Sequence, residues 1–169
     1  MTAVWVKKAT LADLDSVLVL WEAFMVEDEQ TLPSFFGLAK SCKKPLRKYA
    51  LKCLNDSSNA FFIAKMGSVS VGFVQIQLED WPAIFKTQKS AELKNFFVSK
   101  PFRGKRVSSA IMKTVKSFLF KKKINVLTLD VAIQNESARR VYTHWGFKPF
   151  EEKCFLKISD YSPRKRFSS

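Results

Sequence analysis

Residues 91–112 read A-E-L-K-N-F-F-V-S-K-P-F-R-G-K-R-V-S-S-A-I-M, and this segment holds the most informative pattern for predicting the fold. Leu93–Val98 is an apolar run of strand length, and Pro101 and Gly104 punctuate its end. Apolar residues then recur at helical spacing over Val107–Leu119, which predicts a strong amphipathic helix. The chain is therefore expected to leave a strand, make a short basic turn and enter the N-terminus of a long helix.

The turn combines cations with a helix start. Arg103, Lys105 and Arg106 crowd a place where backbone N–H groups lack intrahelical partners and the helix dipole is positive. Each cation costs about 0.3 kcal/mol there unless an anion is bound. The combination predicts an anion site suited to a pyrophosphate. Neither the Walker A pattern nor the Rossmann glycine pattern is present.

The rest of the chain alternates unevenly between strand and helix patterns. Thr10 and Asp13 predict a helix N-cap with an acidic partner, and Gly146 predicts a C-terminal cap. The predicted elements are strands at 4–8, 61–65, 69–78, 93–98, 127–131 and 154–158, helices at about 10–26, 43–54, 107–119 and 137–144, a Gly67-Ser68 hairpin and a loop at 79–90. This order predicts a mixed α/β fold, with a single mixed, mostly antiparallel central sheet flanked by helices on both faces.

Length and composition narrow the class of protein. The 169 residues, 47% of them hydrophobic, predict one domain at 1–159 followed by a polar basic tail at 160–169. Apolar runs are too short to cross a bilayer, and the first ten residues have no signal-peptide core. The three cysteines lack paired spacing, so we expect reduced thiols, no metal site and a cytoplasmic location.

Positive charge is concentrated in the C-terminal half of the chain. Residues 91–169 hold 18 Lys or Arg against 6 Asp or Glu, whereas residues 1–90 hold 11 against 9. This half is expected to face an anion, which could be nucleic acid, membrane headgroups or a phosphorylated cofactor. A basic face that only confers solubility is the alternative interpretation.

Two motifs resemble those of the GCN5-related N-acetyltransferase (GNAT) superfamily. Residues 91–112 resemble its cofactor-binding motif. V-A-I-Q-N-E-S-A-R-R-V-Y-T-H-W-G-F-K-P-F, residues 131–150, resembles its next motif, N-x-x-A-x-x-x-Y-x-x-x-G-F, and residues 6–20 resemble its first strand and helix. The resemblance implies an N-acetyltransferase that uses acetyl-CoA as cosubstrate. The acetyl group would pass to a primary amine by direct attack in a ternary complex.

The resemblance also implies which residues bind acetyl-CoA. The Val98 N–H would polarise the thioester carbonyl, and Asn135 would bond to the cofactor and start a helix. The cofactor set is Phe96, Phe97, Val98, Arg103, Gly104, Lys105, Arg106, Val107, Ser108, Asn135 and Tyr142. The family's turn usually reads Q/R-x-x-G-x-G/A, but Arg106 stands at the first glycine and Ser108 at the second small residue. Arg106 either adds charge to the phosphates or weakens the backbone cradle.

Two residues are implied to be catalytic. Tyr142 would protonate the leaving thiolate as general acid, the alternative being a helix residue that packs on the sheet. Glu92 stands where some members place the base, and apolar neighbours would raise its pKa. A solvent-facing glutamate, with ordered water as the base, is the alternative. The only histidine, His144, is expected to be a surface or packing residue.

The acceptor side is expected to be acidic and aromatic. Such groups suit a cationic amine, which favours a polyamine, an aminoglycoside or a basic peptide. The predicted substrate residues are Glu22, Glu27, Asp28 and Trp81, with Glu29, Glu79, Asp80, Phe35, Phe36 and Phe85 nearby. A solvated acidic helix end with buried aromatics is the alternative.

Three further functions stay open from sequence. The first is a protein or peptide N-acetyltransferase, and the second is a catalytically silent acyl-CoA-binding regulator, which Arg106 favours. The third is a nucleic-acid or ribosome-binding module that uses Lys121–Lys123, Arg139 and Arg140, although no RNP-type aromatic strand or zinc finger is present. We expect no membrane partner, and a homodimer stays open.

Overall fold

The computed structural model describes residues 3–31 and 37–160. Five strands form one sheet in the order β1-β2-β3-β4-β5, antiparallel throughout except that β5 runs parallel to β4. The strands are β1 Val4–Lys8, β2 Asn59–Met66, β3 Val69–Asp80, β4 Lys89–Val98 and β5 Leu127–Leu129. The α-helices are α1 Leu14–Asp28, α2 Lys43–Asn55, α3 Val107–Lys121 and α4 Glu136–His144. The chain falls into two compact units, Met1–Asn135 and Glu136–Ser169.

The first unit has apolar layers on both faces of its sheet. On one face the buried side of α3 (Ile111, Val115 and Leu119) packs on the strands. On the other face α1 and α2 bury Trp21, whose ring lies 5.6 Å from that of Phe61. The predicted fold class, a mixed and mostly antiparallel sheet with helices on both faces, is therefore confirmed. No described helix has the length and apolarity needed to cross a bilayer.

The start of the first helix is stabilised by a buried carboxylate. Asp13 accepts the N–H of Thr10 at 3.0 Å and lies 2.6 Å from the ammonium of Lys7. A 3₁₀ turn over Leu11–Asp13 leads into α1. Burial opposes ionisation of Asp13, but the Lys7 and Thr10 bonds together hold its pKa below the ordinary value. The predicted cap between Thr10 and Asp13 is confirmed.

Asp13→Asn is expected to destabilise the fold by about 1 kcal/mol at pH 7. A lowered pKa means that the ionised Asp13 stabilises the fold above the ordinary pKa of 3.8 and that this contribution is lost as pH falls through the folded value. The variant should therefore lose less stability than the wild type between pH 5 and 2, measured by urea unfolding. Asp15→Asn is the control, because the Asp15 side chain is 86% exposed. Parallel pH curves for wild type and Asp13→Asn would contradict the prediction.

One glycine permits a close approach between β3 and β4. A Cβ added at Gly72 would lie 2.7 Å from the backbone oxygen of Phe97 and 3.3 Å from the Val98 side chain. Gly72→Ala is therefore expected to destabilise the fold by about 2 kcal/mol, measured by chemical unfolding. Gly104→Ala is the control for backbone strain alone, because its Cβ would meet nothing within 4 Å while its φ is +74°. Equal effects in both variants would argue against a steric cause.

Two predicted boundaries are wrong for identifiable reasons. The loop predicted at 79–90 is shorter, since the Trp81 N–H donates to the Gln88 oxygen at 2.8 Å and both strands extend toward this pair. The strand predicted at 154–158 does not form: residues 151–157 lack regular structure, and Ile158–Asp160 is a 3₁₀ turn. A strand needs a paired neighbour, and residues 154–158 take part in no described ladder. The alternation of apolar residues over 154–158 could not reveal that no neighbouring strand would pair with them.

The second unit contains α4 and its C-terminal cap. The predicted helix at 137–144 is confirmed as Glu136–His144. Gly146 has φ +90°, and the Phe147 N–H donates to the Tyr142 oxygen at 3.0 Å. This bonding is typical of a glycine C-cap. The prediction of one domain over residues 1–159 stays a prediction.

Candidate active site

Strand β4 leaves its neighbour β5 halfway along its length. β5 pairs with β4 only from Ala91 to Leu93. On the other edge, the register with β3 skips Lys94, which marks a β-bulge. Bulges bend a strand and increase its twist. On the side that faces β5, β4 therefore has no paired strand from Lys94 to Val98 in the described part of the chain.

The backbone of Val98 faces this open edge. The Ser99 N–H donates to the Val71 oxygen at 2.9 Å, so residue 99 is turned toward β3. Because hydrogen-bonded and non-bonded positions alternate along an antiparallel pair, the N–H and C=O of Val98 point away from β3. The Val98 oxygen accepts Nε of Arg103 at 2.9 Å. A fixed N–H dipole thus points into the opening beside β4.

The N-terminus of α3, nine residues after Val98, has backbone amides without intrahelical acceptors. Its first intrahelical bond runs from the Ala110 N–H to the Arg106 oxygen at 3.1 Å. The N–H groups of Val107, Ser108 and Ser109 precede that bond and have no intrahelical acceptor. The Arg106 side chain makes no capping bond to them. These three amides, together with the positive end of the helix dipole, can therefore bind one anion.

The turn keeps a glycine-like backbone although arginine stands in it. Arg106 has φ 61° and ψ 12°, and Gly104 has φ 74°. A non-glycine residue in this left-handed region costs about 1 kcal/mol. The Arg106 side chain is exposed, so its guanidinium does not pack in the core and the turn forms from the backbone alone. Both sequence expectations for Arg106, added charge on the phosphates and a weaker backbone cradle, stay predictions.

Arg103 joins the turn to α1. Its guanidinium lies 2.7 Å from the Glu27 carboxylate and 5.8 Å from the centre of the Phe97 ring. Its backbone N–H is also engaged, donating to the Lys100 oxygen at 3.2 Å. Within the predicted phosphate-binding backbone of residues 103–108, the N–H of Arg103 is therefore already used. The structure brings Glu27, Arg103 and Val98 together at the open end of β4.

Glu92 is held in an ion pair that the sequence analysis missed. Both of its oxygens lie within 3 Å of the Lys94 ammonium, at 2.9 and 2.8 Å. The Glu92 side chain is 17% exposed. Residues two apart on a strand share a face, and this spacing was the available signal for the pair. To act as a base, Glu92 would have to exchange this partner for the acceptor amine.

The other predicted acceptor residues also have partners. Glu22 lies 3.2 Å from the Lys43 ammonium, and Thr31 donates to the backbone oxygen of Asp28 at 2.8 Å. Burial raises the pKa of the Asp28 carboxyl, partly offset by its bond from Thr31. The Trp81 indole donates to the buried Ser90 hydroxyl at 2.7 Å. Phe35 and Phe36 lie outside the described residues.

A buried amide ladder crosses the sheet beside these groups. Gln75, 1% exposed, donates to Asn59 at 2.8 Å and accepts from Asn95 at 2.6 Å. The three side chains come from β2, β3 and β4, and Asn95 directly follows the bulge at Lys94. A satisfied buried network of this kind rigidifies its surroundings. The ladder was not predicted from sequence, and the available signal was a glutamine placed between the apolar residues Val74 and Ile76.

Asn135 and Tyr142 lie in different units of the chain, and each has its own local contacts. Asn135 directly precedes α4, and its N–H donates to the Ala132 oxygen at 2.9 Å. Tyr142 lies on α4, with its ring 6.0 Å from that of Trp145 and 5.8 Å from that of Phe147. These contacts fix the ring on one side of the helix. The catalytic roles of Tyr142 and Glu92 stay predictions.

Known proteins with similar sequence are acetyltransferases by name. An uncharacterized N-acetyltransferase of Methanocaldococcus jannaschii is 27% identical over 68% of this chain, which spans only 49% of that relative's length. An uncharacterized N-acetyltransferase of Archaeoglobus fulgidus is 26% identical, over 81% of this chain and 88% of the relative.

Solved structures show the same fold. The aminoglycoside N-acetyltransferase AAC(6')-Iy, solved in complex with CoA, superposes with a TM-score of 0.76 over 93% of this chain and 95% of its own, at 16% identity. A model of the acetyltransferase (GNAT) family matches residues 21–147. This match covers β2 to β5, both ends of the open β4 edge and the amides that begin α3. The chain therefore belongs to the acetyltransferase (GNAT) family.

Proposed function

We propose that this protein transfers the acetyl group of acetyl-CoA to a primary amine in a ternary complex. The observation that carries the proposal is the open edge of β4, where the Val98 N–H points outward, followed by the free amides at the start of α3. Family membership supports the same reaction. The open edge of β4 suits the amide-bearing arm of acetyl-CoA, and the amides at the start of α3 suit its diphosphate.

The residues fit such a cofactor. The N–H groups of Val107, Ser108 and Ser109 would bind the diphosphate, with Lys105 and Arg106 adding charge. Along the edge of β4 that β5 leaves after Leu93, the backbone of residues 96–98 would bond to the amide-bearing arm as a neighbouring strand would. Acetyl-CoA supplies, when bound, a thioester activated toward amines.

Each step of the acetyl transfer would use a different group of this chain. The Val98 N–H would stabilise negative charge as it develops on the carbonyl oxygen. Tyr142 would donate its phenol proton to the departing sulfur, and Asn135 would bind the cofactor. The amine's proton would leave through Glu92 or ordered water. Because Glu92 is bonded to Lys94, a protonated amine would compete with that ammonium for the same carboxylate.

A small cationic amine is our proposed acceptor. Glu27 and Asp28 end α1 beside the turn that follows β4, and Arg103 already shows that a cation binds Glu27 at 2.7 Å. Trp81 is 46% exposed and stacks edge-on with Phe85 at 5.4 Å, which offers an aromatic surface to an ammonium. The likeness in fold to an aminoglycoside acetyltransferase is compatible with such an acceptor.

Thiol release from acetyl-CoA tests the proposal. Purified protein is mixed with acetyl-CoA and a panel of polyamines, aminoglycosides, amino acids and basic peptides, and free thiol is measured with and without each amine. Amine-dependent release, with the acetylated product seen by mass spectrometry, is expected for at least one small cationic amine. Tight CoA binding by calorimetry with no release across the panel would overturn catalysis and identify a silent acyl-CoA-binding protein.

A further inference from the structure

The outer face of α3 carries cations without compensating acids. Between residues 93 and 129 the sequence holds ten Lys or Arg and no Asp or Glu. We define the basic stripe as the exposed residues Lys113, Lys116, Phe120, Lys121 and Lys123. None of its four lysines forms an ion pair with a described residue. Lys122 differs, because it lines a small cavity with Glu79 and Asp80.

Helix stability alone does not account for this stripe. Lysines at the C-terminal end of a helix are favourable, which explains Lys121. Lys113 and Lys116, however, are three residues apart in the middle of α3, where like charges repel. Lys123 adopts φ 59°, a left-handed conformation that glycine adopts more easily.

We propose that the basic stripe of α3 binds single-stranded RNA. Lys113 and Lys121 are eight residues apart on α3, so the helical part of the stripe is about 12 Å long and can run beside several phosphates. Phe120 is 80% exposed in the middle of these lysines, where its ring can stack on an unpaired base. Stacking of this kind needs a base that is not already inside a duplex.

An anionic membrane fits the same stripe less well. The apolar side of α3 is buried in the core, with Ile111 and Val115 fully inaccessible. Phe120 is therefore the only large apolar side chain that the helix exposes among the described residues. One side chain gives little insertion energy, whereas interleaved cations and an aromatic ring are typical of single-strand binding.

Fluorescence anisotropy with a labelled 20-nucleotide mixed-sequence RNA tests this inference at 50 and 200 mM KCl. The triple variant Lys113→Gln, Lys116→Gln, Lys121→Gln should bind at least about tenfold more weakly and lower the salt slope by about 2. The matched control changes three exposed lysines of α2, Lys44→Gln, Lys48→Gln and Lys52→Gln, with the same loss of charge. It should leave the slope unchanged. Phe120→Ala should weaken binding about tenfold with no change in slope.

Three results would overturn the inference. They are absence of RNA binding by the wild type at 50 mM KCl, equal losses in the two triple variants, and tighter binding to phosphatidylserine vesicles than to RNA. Thermal unfolding confirms that each variant is folded. The inference is independent of the proposed acetyl transfer, because the α3 variant leaves the β4 edge and the amides of α3 intact. Its thiol-release rate should stay at the wild-type value even where RNA binding is lost.

Discussion

Ser108→Asp is expected to weaken acetyl-CoA binding about thirtyfold without destabilising the protein. Ser108 is the second residue of α3, and its N–H has no intrahelical acceptor. An aspartate there stabilises the helix dipole, so the free energy of unfolding should stay equal or rise by about 0.5 kcal/mol. The same carboxylate would repel a diphosphate bound at the start of the helix, and a repulsion of about 2 kcal/mol corresponds to thirtyfold in affinity. Calorimetry gives the Kd and urea unfolding gives the stability.

Ser117→Asp on the same helix is the matched control. Ser117 is exposed and lies two turns further along α3, away from its N-terminus. The control introduces the same charge but should leave the Kd for acetyl-CoA within about twofold of the wild type, because the screened interaction falls off over about 10 Å. Equal losses of affinity in the two variants would show only a net-charge effect. An unchanged Kd in Ser108→Asp would remove the start of α3 from the cofactor site.

The local patterns in the sequence predicted the parts of the fold that depend on near neighbours. The strand–turn–helix of residues 91–112 formed as expected, because its turn, its apolar run and its helical period agree with one another. The left-handed backbone at Arg106 could also be anticipated, since a glycine is usual at that place in the family. The positions at which these signals agree are those of the proposed cofactor site.

Features that depend on distant partners could not be predicted in the same way. The bulge at Lys94 lies in the ladder between β3 and β4, directly beyond the last residue of β4 that pairs with β5. The bond between Glu27 and Arg103 joins residues 76 positions apart. The amide ladder through Gln75 likewise needs three strands in register. Each depends on tertiary contacts that one sequence does not specify locally.

Tyr142→Phe is expected to lower kcat about a hundredfold while changing the Kd for acetyl-CoA less than threefold. The substitution keeps the ring, so its contacts with Trp145 and Phe147 at 6.0 and 5.8 Å should persist and the protein should stay folded. The substitution removes the phenol hydroxyl and with it the proposed proton donor, and a positioned general acid contributes about a hundredfold or more. Steady-state thiol release with the best amine gives kcat, and calorimetry gives the Kd.

Tyr49→Phe is the matched control for Tyr142→Phe. Tyr49 is a second tyrosine, on α2, whose ring meets that of Trp21 at 5.8 Å. Removing its phenol oxygen should leave kcat within about twofold, because no part of the proposed chemistry uses it. Equal falls in kcat and in cofactor affinity for Tyr142→Phe would instead assign Tyr142 to binding. A wild-type kcat would mean that the departing thiolate takes its proton from water, since a general acid that is dispensable lowers no barrier.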